Sequence, residues 1–362
     1  MNPALIRRNS VEEFQTLRPN SDDPIHSLLE QLGALVLTDA LPQVLELRYF
    51  GSLDTFESTL DGLKDLPGSG EWPVSFLDGA PSPNGGAAGI QLHTVRGAQV
   101  ETIRLGDTIV GRAFQDEGAR YCILGGVGPD DLSAPMAKQA EATLLRMEAA
   151  LQTQGMELKN LVRTWFFLDD ILGWYGAFNE TRTRIFRERG MFEGYVPAST
   201  GIGGVNHRGA AVLASALAME PTARDVGVTE IPSPLQCPAG SYGSSFSRAA
   251  ELAGPGFRRV LVSGTASIDP QGRTTHVGSA ADQMALTVDV VEAILRSRGM
   301  GLQDVSRGNA YFKNACHAVA FGPALQELGV PSERLLISSN TVCRDELLFE
   351  MEVEAVLVEL EG

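Results

Sequence analysis

Apolar residues fall at helical spacing in two distant stretches of the chain, and the two stretches match each other. Leu144, Met147 and Leu151 are three and four residues apart, as are Val288, Val291 and Leu295, so each set predicts one buried helix face. A shift of 144 residues lays residues 139–163 on residues 283–307 without a gap. Nine positions are then identical, among them Gln139/Gln283, Glu148/Glu292, Gly155/Gly299, Met156/Met300 and Arg163/Arg307. Internal duplication accounts for this match.

Each copy predicts the same order of elements. A strand comes first, at 119–128 and 258–267. The helix follows, with Gly155 and Gly299 placed as its C-terminal stops. A strand (162–170 and 306–314), a second helix (175–190 and 319–329) and two closing strands (197–204 with 210–220, and 334–342 with 346–360) complete it. This is an α+β unit with helices on one face of a mixed sheet. The expected division is 1–88 as an N-terminal extension, 89–222 as the first unit and 223–362 as the second. Within the extension, residues 27–50 predict one helix and one strand, and the Gly-, Pro- and Ser-rich residues 65–89 predict a long loop. A partial third unit is one reading of that extension.

The closing strand of the second copy reads Phe349, Glu350, Met351, Glu352, Val353, Glu354. Alternation puts the three carboxylates on one face and the apolar residues on the core face. Taken alone, this is a solvated strand face. The matching strand of the first copy has Ala or Ser there, with Ala214 nearest to Glu350.

Charge and composition narrow the partners. The chain has 29 Lys or Arg against 45 Asp or Glu, a net charge of −16. A nucleic acid or an anionic membrane needs a basic footprint, so neither is expected. A small anionic substrate remains compatible, because a few arginines in a cleft dominate locally. With no secretory h-region near MNPALIRRNS and no run of about 18 apolar residues, a cytoplasmic protein with reduced thiols is expected. Cys122, Cys237, Cys316 and Cys343 form no CxxC pair, and the five histidines have no metal spacing. No GxSxG elbow is present. No metal and no cofactor are expected.

Other residues carry two readings each. Arg163 and Arg307 either close a helix-strand turn or grip a carboxylate, with Arg248 as a third such arginine. Tyr121 and Tyr195 flank glycine-rich strand ends and either pack or donate a hydrogen bond to substrate. Thr200, Gly201 and Gly203 lie in PASTGIGG, where glycines let backbone amides approach a ligand. Cys343 alone reads as a small buried hydrophobe.

The repeat unit resembles the Rid, or YjgF, family in its helix-Gly-strand segment, its PAST strand start at 197–200 and its closing LLFEMEVEAV at 347–356. Two such units behind an N-terminal extension, with FSRA (246–249), SGTASI (263–268), PASTGIGG (197–204) and VCRDELLFE (342–350), are similar more narrowly to the chorismatases. The resemblance implies a pseudo-trimeric arrangement, as a monomer or a small homo-oligomer. It implies cleavage of the dianion chorismate to pyruvate and a hydroxybenzoate or a dihydroxycyclohexadiene acid, without a cofactor. It places the catalytic carboxylate at Glu350. It makes Cys343 and the Gly264–Ser267 stretch, Ala266 in particular, shapers of the pocket, with Cys343 favouring 3-hydroxybenzoate. Two other functions stay open at this point: an enamine or imine deaminase, in which an arginine holds one carboxylate and Glu350 moves protons, and a non-enzymatic metabolite-binding protein.

Overall fold

A computed structural model describes residues 4–6, 10–38 and 42–358. Those residues form three sheets, each carried by one stretch of chain. The first contains β1 (Ala4–Ile6), β2 (Val11–Leu17), α1 (Pro24–Val36), β3 (Gln43–Gly51), α2 (Phe56–Lys64), β4 (Val74–Asp78) and β5 (Ala87–Arg96). The second contains β6 (Val100–Leu105), β7 (Thr108–Gln115), β8 (Ala119–Val127), α3 (Met136–Gln152), β9 (Leu161–Leu168), α4 (Ile171–Glu188), β10 (Ala198–Gly203) and β11 (Val212–Pro221). The third contains β12 (Gly227–Ile231), β13 (Ala249–Gly254), β14 (Phe257–Ala266), α5 (Ala280–Arg296), β15 (Val305–Phe312), α6 (Ala315–Phe321), α7 (Ala324–Glu327), β16 (Leu335–Ser339) and β17 (Phe349–Val358).

The strand orders are β1-β2-β5-β3-β4, β10-β9-β11-β8-β7-β6 and β12-β13-β14-β17-β15-β16. All three follow one scheme. A hairpin leads into a helix, a strand, a second helical segment and a parallel edge strand. The last strand then slots into the middle. The repeat is visible in the offsets, since α3 and α5, like β9 and β15, lie 144 residues apart. The predicted helix stops are also present. Gly155 and Gly299 have φ of 68° and 71°. Met156 N–H donates to Leu151 C=O, and Met300 N–H to Leu295 C=O, which closes each helix end.

The helix and strand expected within 27–50 are present as α1 and β3. The first 96 residues hold more than that, a sheet of the same scheme with one hairpin strand fewer. Strand β4 lies inside the stretch expected to be a long loop, and the division drawn at residue 88 falls within β5. Val74–Asp78 is only five residues long and sits between Pro73 and Gly79, so turn residues mask it.

The three sheet-bearing units, numbered from here in chain order as first, second and third, form a pseudo-trimer with helices outside and sheet faces inward. Met351, Val353 and Ala355 of β17 pack with Val288, Val291 and Leu295 of α5, where each buried side chain contributes roughly 1.5–3 kcal/mol. Edge strands tie the units in a ring. Leu77 bridges Asn206, Ala198 bridges Ser247, and Thr16 Oγ1 donates to Arg334 C=O. No helix among the described residues is long and apolar enough to cross a membrane.

This closure overturns the reading of a solvated acidic strand face. Glu350, Glu352 and Glu354 are 4%, 3% and 4% exposed. In one isolated unit their face would meet water. In the pseudo-trimer it meets the other two sheets. A buried carboxylate must be paired or neutral. Glu354 accepts paired hydrogen bonds from both Arg259 and Arg307. Nearby, Arg48 is paired with Glu46, and its guanidinium lies 3.8 Å from the Trp165 ring centroid.

Candidate active site

Strand β17 puts two carboxylates side by side in different surroundings. Glu352 Oε1 accepts from Asn309 Nδ2 at 2.6 Å and from Tyr311 Oη at 2.9 Å. Its Oε2 accepts from Arg163 and from the Thr200 hydroxyl. Four donors saturate it as an acceptor-only carboxylate. Among the described residues, none donates a hydrogen bond to the Glu350 carboxyl. Burial pushes Glu350 up to about 8, and the Glu352 charge adds to that rise, while Arg163 and Arg248 oppose it. Glu350 is therefore a carboxylic acid at neutral pH, next to a fixed carboxylate.

Glu350 lines a cavity of about 170 Å³ between the second and third units. From the second unit, α4 contributes Tyr175, Asn179 and Arg182, and β10 contributes Ser199 and Gly201. The third unit contributes Ser244, Phe246 and Arg248 from the loop before β13, Gly264 and Ala266 from β14, and Ile268 beyond it. Cys343 and Arg344 come from the turn before β17. With Glu350 protonated, the charged lining is Arg182, Arg248 and Arg344, all cationic. Phe246 is near two of them, with guanidinium carbons 5.8 Å (Arg182) and 5.7 Å (Arg248) from its ring centroid. The Cys343 thiol is pushed up to about 12, chiefly by burial and then by Glu350, so it is a neutral wall group. A second depression of about 290 Å³ is lined by Asp78, Asp169 and Asp170 without a cation, which does not suit an anion.

Strand register explains why this cleft is open. The last residues of β3, β9 and β15 pair with Asp78, Gly203 and Ser339, which aligns the three sheets. In that alignment Glu350, opposite Tyr311, corresponds to Leu213, opposite Phe167, and to Gly89, opposite Phe50. The first-copy counterpart is thus Leu213, one residue before the expected Ala214. It is still no acid. Gly201 corresponds to Phe76 and Ile337. Phe76 is buried against Phe56 and His207. Where Gly201 lies, a Cβ would come 3.1 Å from Tyr175 Oη.

Gly264 is equally constrained. A methyl there would overlap Glu350 Oε1. Gly264→Ala is expected to displace the carboxyl rather than unfold the chain. We expect kcat to fall by at least about 10²-fold, the lower end of a general acid's contribution, with a melting temperature close to that of the parent. Paired kinetics and thermal melts check this.

The structure sorts the sequence candidates into two groups. Glu350, Cys343, Arg248, Gly201, Gly264 and Ala266 line the cavity. Arg163, Arg307, Tyr121, Tyr195 and Thr200 are not in its lining. Arg163 and Arg307 were expected to hold substrate carboxylates, but they are bound to Glu352 and Glu354 of the chain itself. Tyr121 is buried and stacked on Phe114. Burial raises the Tyr195 phenol. Gly203 lies at the acidic depression. Thr200 sits behind the lining, where its hydroxyl accepts from Gly264 N–H at 3.0 Å.

Arg182 and Arg344 had not been singled out. Arg344 sits inside VCRDELLFE beside Cys343. Arg182 shares its helix face with buried Phe178, Ile185 and Phe186. A charged residue in an apolar stripe is a usable signal, and the neighbouring Arg184, Arg187 and Arg189 obscured it.

Among solved structures, a chorismatase crystal structure matches 98% of this chain over 100% of its own, at 17% identity and a TM-score of 0.67. The chain has the chorismatase fold. Structures of about one unit's length also align. One is a putative endoribonuclease L-PSP from Entamoeba histolytica (17% identity, 36% of this chain, 100% of that chain, TM-score 0.30). Another is yeast Mmf1 (22% identity, 37% of this chain, 99% of that chain, TM-score 0.29). No family model and no curated protein matches the chain. In the register above, one of the three aligned positions carries an acid, Glu350.

Proposed function

We propose that the chain is a chorismatase, cleaving the enolpyruvyl ether of chorismate with Glu350 as general acid. The observation that carries this reading is a neutral buried carboxyl in a cavity whose charged residues are otherwise three arginines. Chorismate brings two carboxylates and a vinyl ether. The arginines suit the carboxylates, and the neutral acid suits the ether.

The steps balance as follows. Glu350 gives its proton to the terminal methylene, and the alkene electron pair forms the new C–H bond. The ether oxygen stabilises the resulting cationic carbon, and Glu350 is left as a carboxylate beside it. In the hydrolytic course, water adds to that carbon and its proton returns to Glu350. Collapse of the hemiketal breaks the bond from oxygen to the former enol carbon, giving pyruvate and a dihydroxycyclohexadiene acid. Release of 3-hydroxybenzoate with pyruvate needs no net water, because the other ring hydroxyl and one ring proton leave as water, which aromatises the ring and returns the water added. We take 3-hydroxybenzoate as the product, on the resemblance carried by Cys343.

Incubation with chorismate, followed by chromatography, tests this directly. Pyruvate and one hydroxylated ring acid in equal amounts are expected, and unchanged chorismate would end the proposal. Arg248→Ala is expected to lower kcat/KM by on the order of 10²-fold, mainly through KM, as for loss of one partner of a buried charged pair. Arg163→Ala and Arg307→Ala are expected to lower stability instead. Steady-state kinetics with urea titrations separate these outcomes.

A further inference from the structure

Thr200 lies outside the cavity lining, yet its hydroxyl is fully used. It accepts from Arg163 Nη2 and from Gly264 N–H, and it donates to Glu352 Oε2. One donor and two acceptors are all that a hydroxyl has. The partners belong to different units. Arg163 is on β9 of the second, while Gly264 and Glu352 are on β14 and β17 of the third. Gly264 is also the residue against which Glu350 Oε1 packs, and a Cβ there would come 3.1 Å from the Thr200 methyl. Thr200 itself is 1% exposed. A serine tie lies beside it, with Ser199 N–H donating to Ser263 Oγ at 2.8 Å.

We propose that Thr200 is a positioning residue for Glu350, fixing both the Glu352 carboxylate beside it and the Gly264 backbone beneath it across the unit boundary. This rests on reading Glu350 as the general acid. The titratable and charged groups around Glu350 are Glu352 on its own strand, Tyr311 on β15, Arg163 on β9, and Arg248 and Cys343 on the two loops. Arg182 and Arg344 complete the charged lining. Of these, Glu352 is the anion, and the Thr200 proton is one of four holding it in place. Without that hydroxyl the Glu352 carboxylate is held by Arg163, Asn309 and Tyr311 alone and moves relative to Glu350. Its repulsion, which adds to burial in raising the Glu350 carboxyl, then weakens.

Thr200→Val keeps the branching and removes the hydroxyl, whereas Thr200→Ser keeps the hydroxyl. The carboxylic-acid carbonyl band of Glu350, assigned as the infrared difference between the parent and Glu350→Gln, is followed against pH in each variant. Thr200→Val is expected to move the midpoint toward neutral pH and to lower kcat at pH 8 by about fivefold, as for a drop of one pH unit from a midpoint of about 8. KM for chorismate stays within about threefold, because the binding arginines are untouched. Thr200→Ser returns both values to the parent's. If Thr200→Val does not fold, Thr200→Ala removes the same hydroxyl and takes its place. An unmoved midpoint overturns the proposal, whether or not stability falls. If the parent releases no pyruvate from chorismate, the functional reading fails, but the infrared titration still decides the role of Thr200.

Discussion

Glu350→Gln lowers kcat for chorismate cleavage by about 10²–10⁴-fold, the usual size of a general acid's contribution, and leaves KM nearly unchanged. Glutamine keeps the length and the hydrogen-bonding reach of the side chain but cannot deliver its proton to carbon. The parent's pH profile carries the same information. The Glu350 carboxyl, raised to about 8, is protonated below that pH, so kcat falls as pH rises through it. The alkaline limb should vanish in Glu350→Gln, leaving a low, flat rate. Strand alternation alone would make Glu352→Gln the natural control, and the structure removes it from that role. Its charge is matched by Arg163 in the interior, so the substitution leaves a buried guanidinium short of its partner. Glu346→Gln, exposed and four residues before Glu350, is the better control and should turn over at the parent's rate.

Glu354→Ala destabilises the fold by about 3–5 kcal/mol, the cost of breaking a buried ion pair by removing one partner. The carboxylate takes two hydrogen bonds from Arg259 and two from Arg307, so its loss strands two buried cations. Arg259 also reaches Glu12 of the first unit at 3.4 Å, and Glu12 lies 2.6 Å from His93. Damage at Glu354 therefore spreads to the joint between the third and first units. The two arginines hold the Glu354 carboxyl far below the usual carboxylate range. Its contribution is accordingly present above the unfolded carboxyl's pKa and is lost as pH falls toward the depressed folded value. Urea titrations of the parent and Glu354→Ala at neutral pH check the magnitude. Equal midpoints would show that the arginines find other partners.

The sequence was legible where periodicity and repetition spoke together. Two helices 144 residues apart, each with its glycine stop, need only the 3.6-residue period and a self-comparison. The first unit was hidden because β4 is short and lies among prolines and glycines, and because it has no detectable match to the other two. Glu350 was singled out through its strand and its motif, and it lines the cavity. The state of Glu352 and Glu354 was not, because alternation says which residues share a face and not what that face meets. Assigning Arg163 and Arg307 to substrate followed from the same gap, since their partners are acids that looked solvated. Arg182, by contrast, was accessible as the one arginine of α4 in line with Phe178 and Ile185.

The most direct test of the central claim is turnover of chorismate in deuterated water, with pyruvate trapped as it forms by reduction to lactate. Protonation of the methylene by a solvent-exchanged carboxyl predicts one deuterium in the methyl group and a slower rate than in ordinary water. Pyruvate released without solvent deuterium in its methyl group, or no pyruvate at all, would contradict it.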